Sequence, residues 1–440
     1  MDTLKAALAR AIDDAGATLK ATGRDLFATP ELGFREMRTA AKVAAALRGL
    51  GLDVEGGLAR TGVRARLRGG RPGPTVAVLG ELDALPVADH PAADAQTGAA
   101  HACGHHAQLT HLLAVATALV RAEAMQELAG DVVLMAVPAE ELVDLEWRQQ
   151  QADAGHLEFL GGKAELVRIG AFDGVDLALL IHATASPDLR RLALLGGSSG
   201  FVAKRVRFIG RASHAARPWL GINALSAANV ALHAIGVARE TFRDEDRIRV
   251  HPIITRGGTT VNVVPADVRL ETFVRGASAG AIADAAAKVD RAFRAGALAT
   301  GAAVEIETLP GYLPLLNDPG LAAIFARSAV ALVGKEEWVV QAEPTPASTD
   351  AGDLSQLMPV LHPFHGGCAG TSHGADFRVV DEETAYLTPA KALAWTVADL
   401  LAGDAAEARG VLAAFTPALT REQYLAHLRA TRRTERFDGA

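Results

Sequence analysis

The sequence is poor in cysteine and lacks any long apolar run. Only Cys103 and Cys368 occur in 440 residues, too few and too far apart for a disulfide framework, which favours a reducing compartment and predicts a cytoplasmic protein. No apolar run approaches about 18 residues, which argues against a membrane-spanning helix. Residues 1–27 mix charged and apolar positions at helical spacing and lack the apolar core of a signal peptide.

Charged and aromatic residues are also sparse. Only 22% of residues are charged, the net charge is −7, and no block of Lys and Arg stands out, which argues against nucleic acid or an anionic membrane as partner. A small-molecule substrate is therefore expected. Aromatic residues make up 5% of a chain that is 50% hydrophobic, so its cores are predicted to consist of small and aliphatic side chains. The length predicts two or three domains.

Three apolar runs of strand length are present, at residues 74–82, 130–141 and 174–186. None of them alternates, as is typical of strands buried on both faces, and a helical pattern fills the interval between the first two. This predicts an α/β fold with a mainly parallel sheet, whose ligands bind beyond the carboxyl ends of the strands. Those ends carry groups that can bind a metal or a proton: Glu81, Asp83, Glu140, Glu141 and His182.

The sequence pattern changes near residue 196. From there, polar and apolar residues alternate in strand-length segments that are separated by Ala-rich helical stretches. This pattern predicts a smaller α+β domain with an antiparallel sheet, inserted at residues 196–309. The first domain is then expected to consist of residues 1–195 and 310–440. Its tail after Asp404 is predicted to form two exposed helices.

The stretch HACGHH at residues 101–106 has the composition of a metal site. Cys103 and His105 can converge on one ion or bridge two, with Glu141, His182 and a histidine of the C-terminal loop as further candidates. Alternatively, Cys103 is a small core residue and the histidines cap the helix that follows. Glu140 and Glu141 point in different directions, so one can bind metal while the other faces the substrate. Alternatively, the two glutamates form an ordinary solvated acidic turn. The apolar run that precedes them argues against this alternative.

Six motifs together resemble a known family of metal-dependent amidohydrolases that includes aminoacylase, carboxypeptidase G and the indoleacetyl-amino-acid hydrolases. The resemblance covers nearly the whole chain and is greatest to the aminobenzoyl-glutamate hydrolase branch, on the stretch FLGGKAELVRIGAFDGVD and the late STDAGD. The motifs occur in the family's order: GELDALP (80–86), HACGHH (101–106), PAEE (138–141), RASHAA (211–216), GGTTVNVVP (257–265) with FVRG (273–276), and STDAGDLS (348–355) leading to TSHGADF (371–377).

The resemblance implies a role for each matching residue. Glu140 would be the general base that activates water at the metal, and Asp83 would orient a ligand histidine. His214 on the inserted domain would polarise the scissile carbonyl, often from the partner subunit of a dimer. The substrate carboxylate and the oxyanion would be held by Asn262 and Arg275. One or two divalent ions, zinc or manganese, would be bound by Cys103, His105, Glu141, His182 and His373.

The implied activity is hydrolysis of the amide bond of an N-acyl amino acid, aryl amide or dipeptide, by a homodimer that pairs through the inserted lid domain. The chain departs from the family pattern at His106, at Gln108 and in the long charged segment after Glu141. These departures leave open a hydrolytic deamination of an aminoaromatic acid, of nitroanthranilate type. A non-catalytic binding relative is a further alternative, which the presence of Glu140 disfavours.

Overall fold

The computed structural model describes residues 1–439. The α-helices of this part of the chain are α1 Asp2–Asp14, α2 Gly16–Phe27, α3 Met37–Gly49, α4 His105–Arg121, α5 Leu145–Asp153, α6 Gly162–Arg168, α7 Ala224–Ala238, α8 Ala279–Thr300, α9 Pro319–Val333, α10 Ala351–Ser355, α11 Thr388–Leu401, α12 Ala406–Ala414 and α13 Arg421–Thr431. Over these residues, no helix is both long enough and apolar enough to cross a membrane.

The strands are β1 Val54–Leu58, β2 Gly62–Leu67, β3 Arg71–Glu81, β4 Leu85–Pro86, β5 Ala99–Ala100, β6 Ala129–Val137, β7 Leu177–Leu179, β8 His182–Ala183, β9 Leu192–Leu195, β10 Gly200–Ile209, β11 Arg249–Val250, β12 Ile253–Arg256, β13 Asp267–Gly276, β14 Ala303–Pro310, β15 Trp338–Gln341, β16 Val360–Leu361, β17 Phe364–His365, β18 Cys368–Ala369, β19 Arg378–Val379 and β20 Arg433–Asp438.

The chain divides into two compact units. Unit 1 comprises Met1–Gly197, Leu316–Pro344 and Asp353–Leu419, and unit 2 comprises Ser198–Leu315, Thr345–Gly352 and the segment from Thr420 onward. The sequence predicted one inserted segment, residues 196–309, whereas unit 2 takes up three separate stretches of chain. The two additional stretches are short and carry no composition signal that sets them apart from their neighbours.

Unit 1 contains a six-stranded sheet with the order β1-β2-β6-β3-β7-β16. Its centre is parallel, since β3 pairs in parallel with β6 and β7, and β16 pairs in parallel with β7. Strands β1 and β2 add an antiparallel edge. The inner half of β3 and nearly all of β6 are buried, which explains their unbroken apolar runs. The predicted α/β class with a mainly parallel sheet is confirmed.

A smaller sheet in unit 1 has the order β15-β9-β17-β8. Strand β8 contains His182 and pairs in parallel with β17, which brings His182 opposite Phe364. This sheet therefore fixes the third apolar run of the sequence beside the C-terminal loop.

Unit 2 is built on an antiparallel sheet with the order β11-β13-β10-β14-β20, and β12 also pairs with β13. Strand β13 alternates between half-buried and buried positions along its whole length, the period of a sheet with one face in a core. Helices α7 and α8 supply the other side of that core, mainly through alanine.

The C-terminal segment differs from the predicted pair of exposed helices. Helices α12 and α13 are present, but the chain continues into β20, which pairs antiparallel with β14 from Ala303↔Asp438 to Thr308↔Arg433. Helix α13 buries Tyr424, Leu425 and Leu428. The six residues of β20 are mostly charged and exposed, so no apolar pattern marks them as a strand.

Candidate metal centre

Two neighbouring parallel strands bring acidic residues to the same edge of the sheet in unit 1. Strand β3 ends at Glu81, and β6 ends at Val137, three residues before Glu140. The carboxyl ends of parallel strands lie side by side, and ligands bind there in open α/β sheets. Glu81, Asp83 and Glu140 are all buried at this edge, at 0%, 0% and 6% exposure.

The turn before α4 presents Cys103 and His105 to this edge. Gly104 between them has φ +87°, and a Cβ at this position would lie 2.4 Å from the Cβ of Ala183. Only glycine combines that backbone conformation with that close approach. The sequence Cys-Gly-His is therefore required by the turn that places a thiol and an imidazole two residues apart.

One group of potential ligands consists of Cys103, His105 and His182, whose ligand atoms lie within 4.8 Å of one another. The Cys103 Sγ is 3.5 Å from the His182 Nε2. Both imidazoles are oriented by backbone carbonyls: His105 Nδ1 donates to Asp83 O at 2.9 Å, and His182 Nδ1 donates to Ala183 O at 2.8 Å. Because a carbonyl can only accept, each ring presents Nε2 as the free lone pair when neutral.

A second group shares the same thiol and consists of Cys103, Glu141 and His373. The His373 Nε2 lies 3.2 Å from the Cys103 Sγ and 3.1 Å from the Glu141 Oε1. Two three-ligand groups that share Cys103 could hold two ions. All five predicted ligands are brought together.

Glu140 lies apart from these two groups. Its Oε2 is 3.9 Å from the His105 Nε2, and it forms a third group with Glu81 and His105. Adjacent glutamates therefore face the centre from different directions, Glu141 toward Cys103 and His373, and Glu140 toward His105. The sequence predicted that Glu141 is a ligand and Glu140 a base, and these different surroundings are compatible with that prediction.

A buried polar network around Glu81 was not predicted. The Glu81 Oε2 lies 3.1 Å from the His105 Nε2 and accepts a hydrogen bond from Gln108 Nε2 at 2.7 Å. Its Oε1 pairs with Lys163 Nζ at 2.7 Å, and both side chains are fully buried. The sequence identified Glu81 as an acid at a strand end but gave no sign that Lys163 would face it. Gln108, one of the departures from the family pattern, is part of this network.

The titratable groups of the centre shift one another's pKa in opposite directions. Although burial opposes it, Lys163 and His105 hold the pKa of Glu81 below its usual value, and His373 does the same for Glu141. Burial and the charge of Glu141 act to raise the pKa of the Cys103 thiol. The charge of His182 and hydrogen bonds from His105 and His182 outweigh them and lower this pKa to about 6. The pKa of His105, His182 and His373 is raised against the effect of burial by these anions. The anions here thus favour a nearby positive charge.

Asp83, for which the resemblance implied that it orients a ligand histidine, contacts both His105 and the backbone of Glu141. Its Oδ1 is 3.3 Å from the His105 Nδ1, and its Oδ2 accepts a hydrogen bond from Glu141 N at 2.8 Å. One carboxylate therefore orients one ligand through its ring and another through its backbone.

The charged segment after Glu141 holds the backbone of Glu141 in place. Arg148 on α5 is buried and donates to Leu160 O at 2.6 Å and to the Glu141 carbonyl. The neighbouring Trp147 carries the Arg35 guanidinium 3.8 Å from its ring centroid, and Arg35 pairs with Asp144. This departure from the family pattern is thus a scaffold that holds the backbone of Glu141.

Three further histidines of unit 1 are buried and belong to neither of the two ligand groups. His362 is buried and stacks on His182 with ring centroids 5.7 Å apart, and burial lowers its pKa to about 3. His365 contacts His111, with centroids 4.9 Å apart. His106 is fully buried and packs against Phe27 at 4.9 Å. The choice of His373 over His362 and His365, made from its flanking motif, agrees with this geometry.

The three predicted substrate residues belong to unit 2 and fall into two places. His214 is exposed on a turn whose backbone pairs with Val263, and Asn262 O accepts a hydrogen bond from Ala215 N at 3.0 Å. Arg275 lies near the end of β13, donates to Ser348 Oγ at 2.7 Å, and stands 5.2 Å from the ring of Phe201. Within one chain, Asn262 lies before the Asp267 end of β13, and Arg275 lies near the other end of that strand.

Comparison with known proteins places this chain among metallohydrolases. Residues 77–398 match peptidase family M20/M25/M40. A Xaa-Arg dipeptidase of Mus musculus is 30% identical over 426 residues, which is 91% of this chain and 90% of the relative. An N-acyl-L-amino acid amidohydrolase of Geobacillus stearothermophilus is 27% identical and spans 71% of this chain and 81% of its own length.

Two solved structures share the fold. The Bacillus subtilis YXEP protein, described as a dinuclear metal binding peptidase, superposes with a TM-score of 0.64 at 24% identity, covering 88% of this chain and 98% of that one. An aminobenzoyl-glutamate utilization protein of Klebsiella pneumoniae does so with a TM-score of 0.62 at 22% identity, covering 88% and 96%.

Proposed function

Since this chain belongs to peptidase family M20/M25/M40, we propose that it is a divalent-metal-dependent hydrolase that cleaves the C–N amide bond of a dipeptide or an N-acyl amino acid. The observation that carries the proposal is the pair of three-ligand groups that share Cys103 and lie beside the carboxylate of Glu140. The relatives named for dipeptides and for N-acyl amino acids both hydrolyse this kind of bond.

The donor set fits two divalent ions. Thiolate, imidazole and carboxylate ligands suit zinc, and the oxygen and nitrogen ligands also accept manganese. The anions of the centre raise the pKa of the three imidazoles, so the centre favours positive charge, which a divalent cation would supply. Cys103, His105, His182, Glu141 and His373 would hold the ions.

The chain's own residues then divide the reaction. When bound, the ions supply Lewis acidity, which polarises the amide carbonyl and lowers the pKa of water. Glu140 accepts a proton from the attacking water while the water oxygen bonds to the carbonyl carbon. The C–N bond breaks, and Glu140 returns the proton to the leaving nitrogen, so that an acid and an amine are released. Asp83 and Arg148 keep the adjacent Glu141 in place during these steps.

We also propose that the active protein is a homodimer in which His214 serves the substrate bound by the other chain. In unit 2, His214 lies beyond the Asp267 end of β13, and Arg275 lies eight residues further along that strand. At about 3.4 Å per residue the two ends are roughly 27 Å apart. One small substrate cannot reach both, so if both contact it, one of them comes from a second copy.

A release assay tests the reaction class. Purified protein loaded with Mn²⁺ or Zn²⁺ is incubated with dipeptides ending in Arg or Lys, with N-acyl amino acids, and with aminobenzoates. We expect new primary amine, detected with ninhydrin, from a dipeptide or N-acyl amino acid and no free ammonia. Ammonia from an aminobenzoate would instead show deamination. His106, one of the three departures that left deamination open, packs against Phe27 outside the two ligand groups, which disfavours that result.

A further inference from the structure

The turn that carries Glu140 has an unfavourable backbone conformation. Ala139, the residue before Glu140, is fully buried and has φ +52°. Alanine adopts this left-handed region at a cost of about 1–2 kcal/mol, so the surrounding structure must impose it. Glycine would adopt this conformation without that cost, yet residue 139 is an alanine.

Glu36 contacts this turn directly. Its side chain is fully buried, its Oε1 accepts a hydrogen bond from Ala139 N at 2.8 Å, and its Oε2 accepts one from Thr61 Oγ1 at 2.6 Å. Hydrogen bonds to a carboxylate are about twice as strong as those between neutral groups, and burial protects them from water. Both oxygens of Glu36 are thus committed to one backbone amide and one hydroxyl.

The other side of the turn is held separately. Ala139 O accepts a hydrogen bond from Gly162 N at 3.0 Å, and Glu141 N donates to Asp83 Oδ2 at 2.8 Å. Gly162 has no room for a side chain, because a Cβ there would lie 1.6 Å from Pro138 O. The backbone is therefore clamped on both sides of Glu140, by Glu36 at residue 139 and by Asp83 at residue 141.

From these contacts we infer that Glu36 is a positioning residue, which holds Ala139 in its left-handed conformation and thereby aims the carboxylate of Glu140 at the metal centre. This inference rests on the proposed function for its catalytic consequence, and on the backbone contacts alone for its structural part. Glu36 acts through Ala139 and touches neither a proposed ligand nor the reacting atoms.

The environment of Glu36 is unfavourable for a negative charge. Burial, and next the charge of Asp83, raise the pKa of Glu36 to about 7, although the hydrogen bonds from Thr61 and Ala139 lower it. A buried carboxylate near a second one destabilises the fold unless its hydrogen bonds compensate. The hydrogen bonds from Thr61 and Ala139 therefore satisfy Glu36 and hold the turn at the same time.

The experiment compares Glu36→Ala and Glu36→Gln with the control Glu31→Gln. Glu31 is also a glutamate anchored at the start of α3, where it accepts hydrogen bonds from Thr39 N and Oγ1, but it does not contact the turn. On the substrate that the wild type cleaves fastest, Glu36→Ala should lower kcat on the order of 10²-fold with little change in KM, since a small misplacement of a reacting group costs about this much. The Gln variant keeps an accepting oxygen and should retain most of kcat, as should the control.

A second pair of measurements separates positioning from general damage. The double variant Glu36→Ala with Ala139→Gly should recover several-fold in kcat over Glu36→Ala, because glycine adopts positive φ without strain. Zinc content and the Cys103-to-Co²⁺ charge-transfer band of the cobalt-loaded protein should stay at wild-type values in all variants.

Amide hydrogen exchange of the peptide that covers residues 138–142 needs no substrate. Glu36→Ala should speed its exchange, whereas Glu31→Gln should not. Unchanged exchange, or a fall in kcat that follows metal loss and is not rescued by Ala139→Gly, would overturn the inference. If the wild type cleaves nothing in the assay, the proposed function fails, and the exchange result still decides whether Glu36 holds the turn.

Discussion

Glu140 and Glu141 are adjacent, and the structure assigns them to different surroundings. The Glu141 carboxylate lies 3.1 Å from the His373 Nε2, whereas the Glu140 Oε2 lies 3.9 Å from the His105 Nε2. A base and a ligand should fail in different ways when altered, which makes the pair a direct test of the mechanism.

Glu140→Gln should lower kcat at least about a hundredfold, because it removes the basic oxygen, and a general base contributes on the order of 10² to 10⁴ in rate. Its zinc content should remain that of the wild type. Glu141→Gln should instead lower the metal content, measured by atomic emission after dialysis against buffer without metal. The reverse pattern, an empty site in Glu140→Gln and a full one in Glu141→Gln, would exchange the two roles.

Cys103→Ala should release metal and abolish turnover together, since the thiol belongs to both ligand groups. The cobalt-loaded variant should lack the sulfur-to-metal absorption band of the wild type. Cys368→Ala is the matched control, because this thiol is buried among apolar side chains and burial raises its pKa to about 12, and we expect it to leave the metal content unchanged. Equal metal loss in both variants would show that Cys368 has been misassigned.

At the level of secondary structure elements, a buried ion pair joins three parts of unit 2. Lys204 on β10 is fully buried and pairs with Asp290 on α8 at 2.6 Å, and Asp290 also meets Arg433 at the start of β20 at 3.3 Å. The desolvation of Lys204 lowers its pKa against the attraction of Asp290. The C-terminal strand is thus tied to the sheet through side chains as well as through β14.

Asp290→Ala should lower the free energy of unfolding by about 3–5 kcal/mol, because it leaves the buried ammonium of Lys204 without its partner. Replacing both residues, Lys204→Met with Asp290→Leu, should recover most of the loss. Denaturant titrations of the metal-loaded protein measure both effects. A double variant as unstable as Asp290→Ala would show that packing around α8, and not the unpaired charge, accounts for the loss.

At the scale of the whole molecule, the question is whether His214 acts within its own chain or on the substrate of a partner. Strand β13 separates His214 from Arg275 within unit 2, which supports the proposed exchange between two copies. Subunit mixing distinguishes the two arrangements, because each inactive variant retains what the other lacks.

His214→Ala should reduce turnover by orders of magnitude with metal content unchanged. When it is mixed with Glu140→Gln under conditions that allow subunits to exchange, activity should return to about a quarter of that of the wild type, because half of the dimers are mixed and half of their sites are intact. Native mass spectrometry shows whether the subunits have exchanged. If they have exchanged and activity does not recover, His214 acts on the substrate of its own chain. A strict monomer on gel filtration would remove the proposed dimer.

Much of the site could be predicted because its residues occur in short motifs at strand ends. Cys103, His105 and Glu141 follow buried strands or precede a helix, and parallel strands bring such ends to one edge. Glu36, Lys163 and Arg148 could not be predicted in this way. Each lies in a segment without a catalytic motif, and each reaches the centre only because packing buries its side chain against a turn or an acid.

The sequence by itself determined the fold class, the family and the five ligand candidates, because apolar runs and ordered motifs are local properties of the chain. Only the tertiary structure decided that His373 faces Cys103 while His362 stacks behind His182. It also decided that the exposed, charged residues of β20 form a strand of unit 2. Both outcomes depend on which distant segments are held side by side, and such pairing is determined by burial and backbone hydrogen bonding across the whole chain.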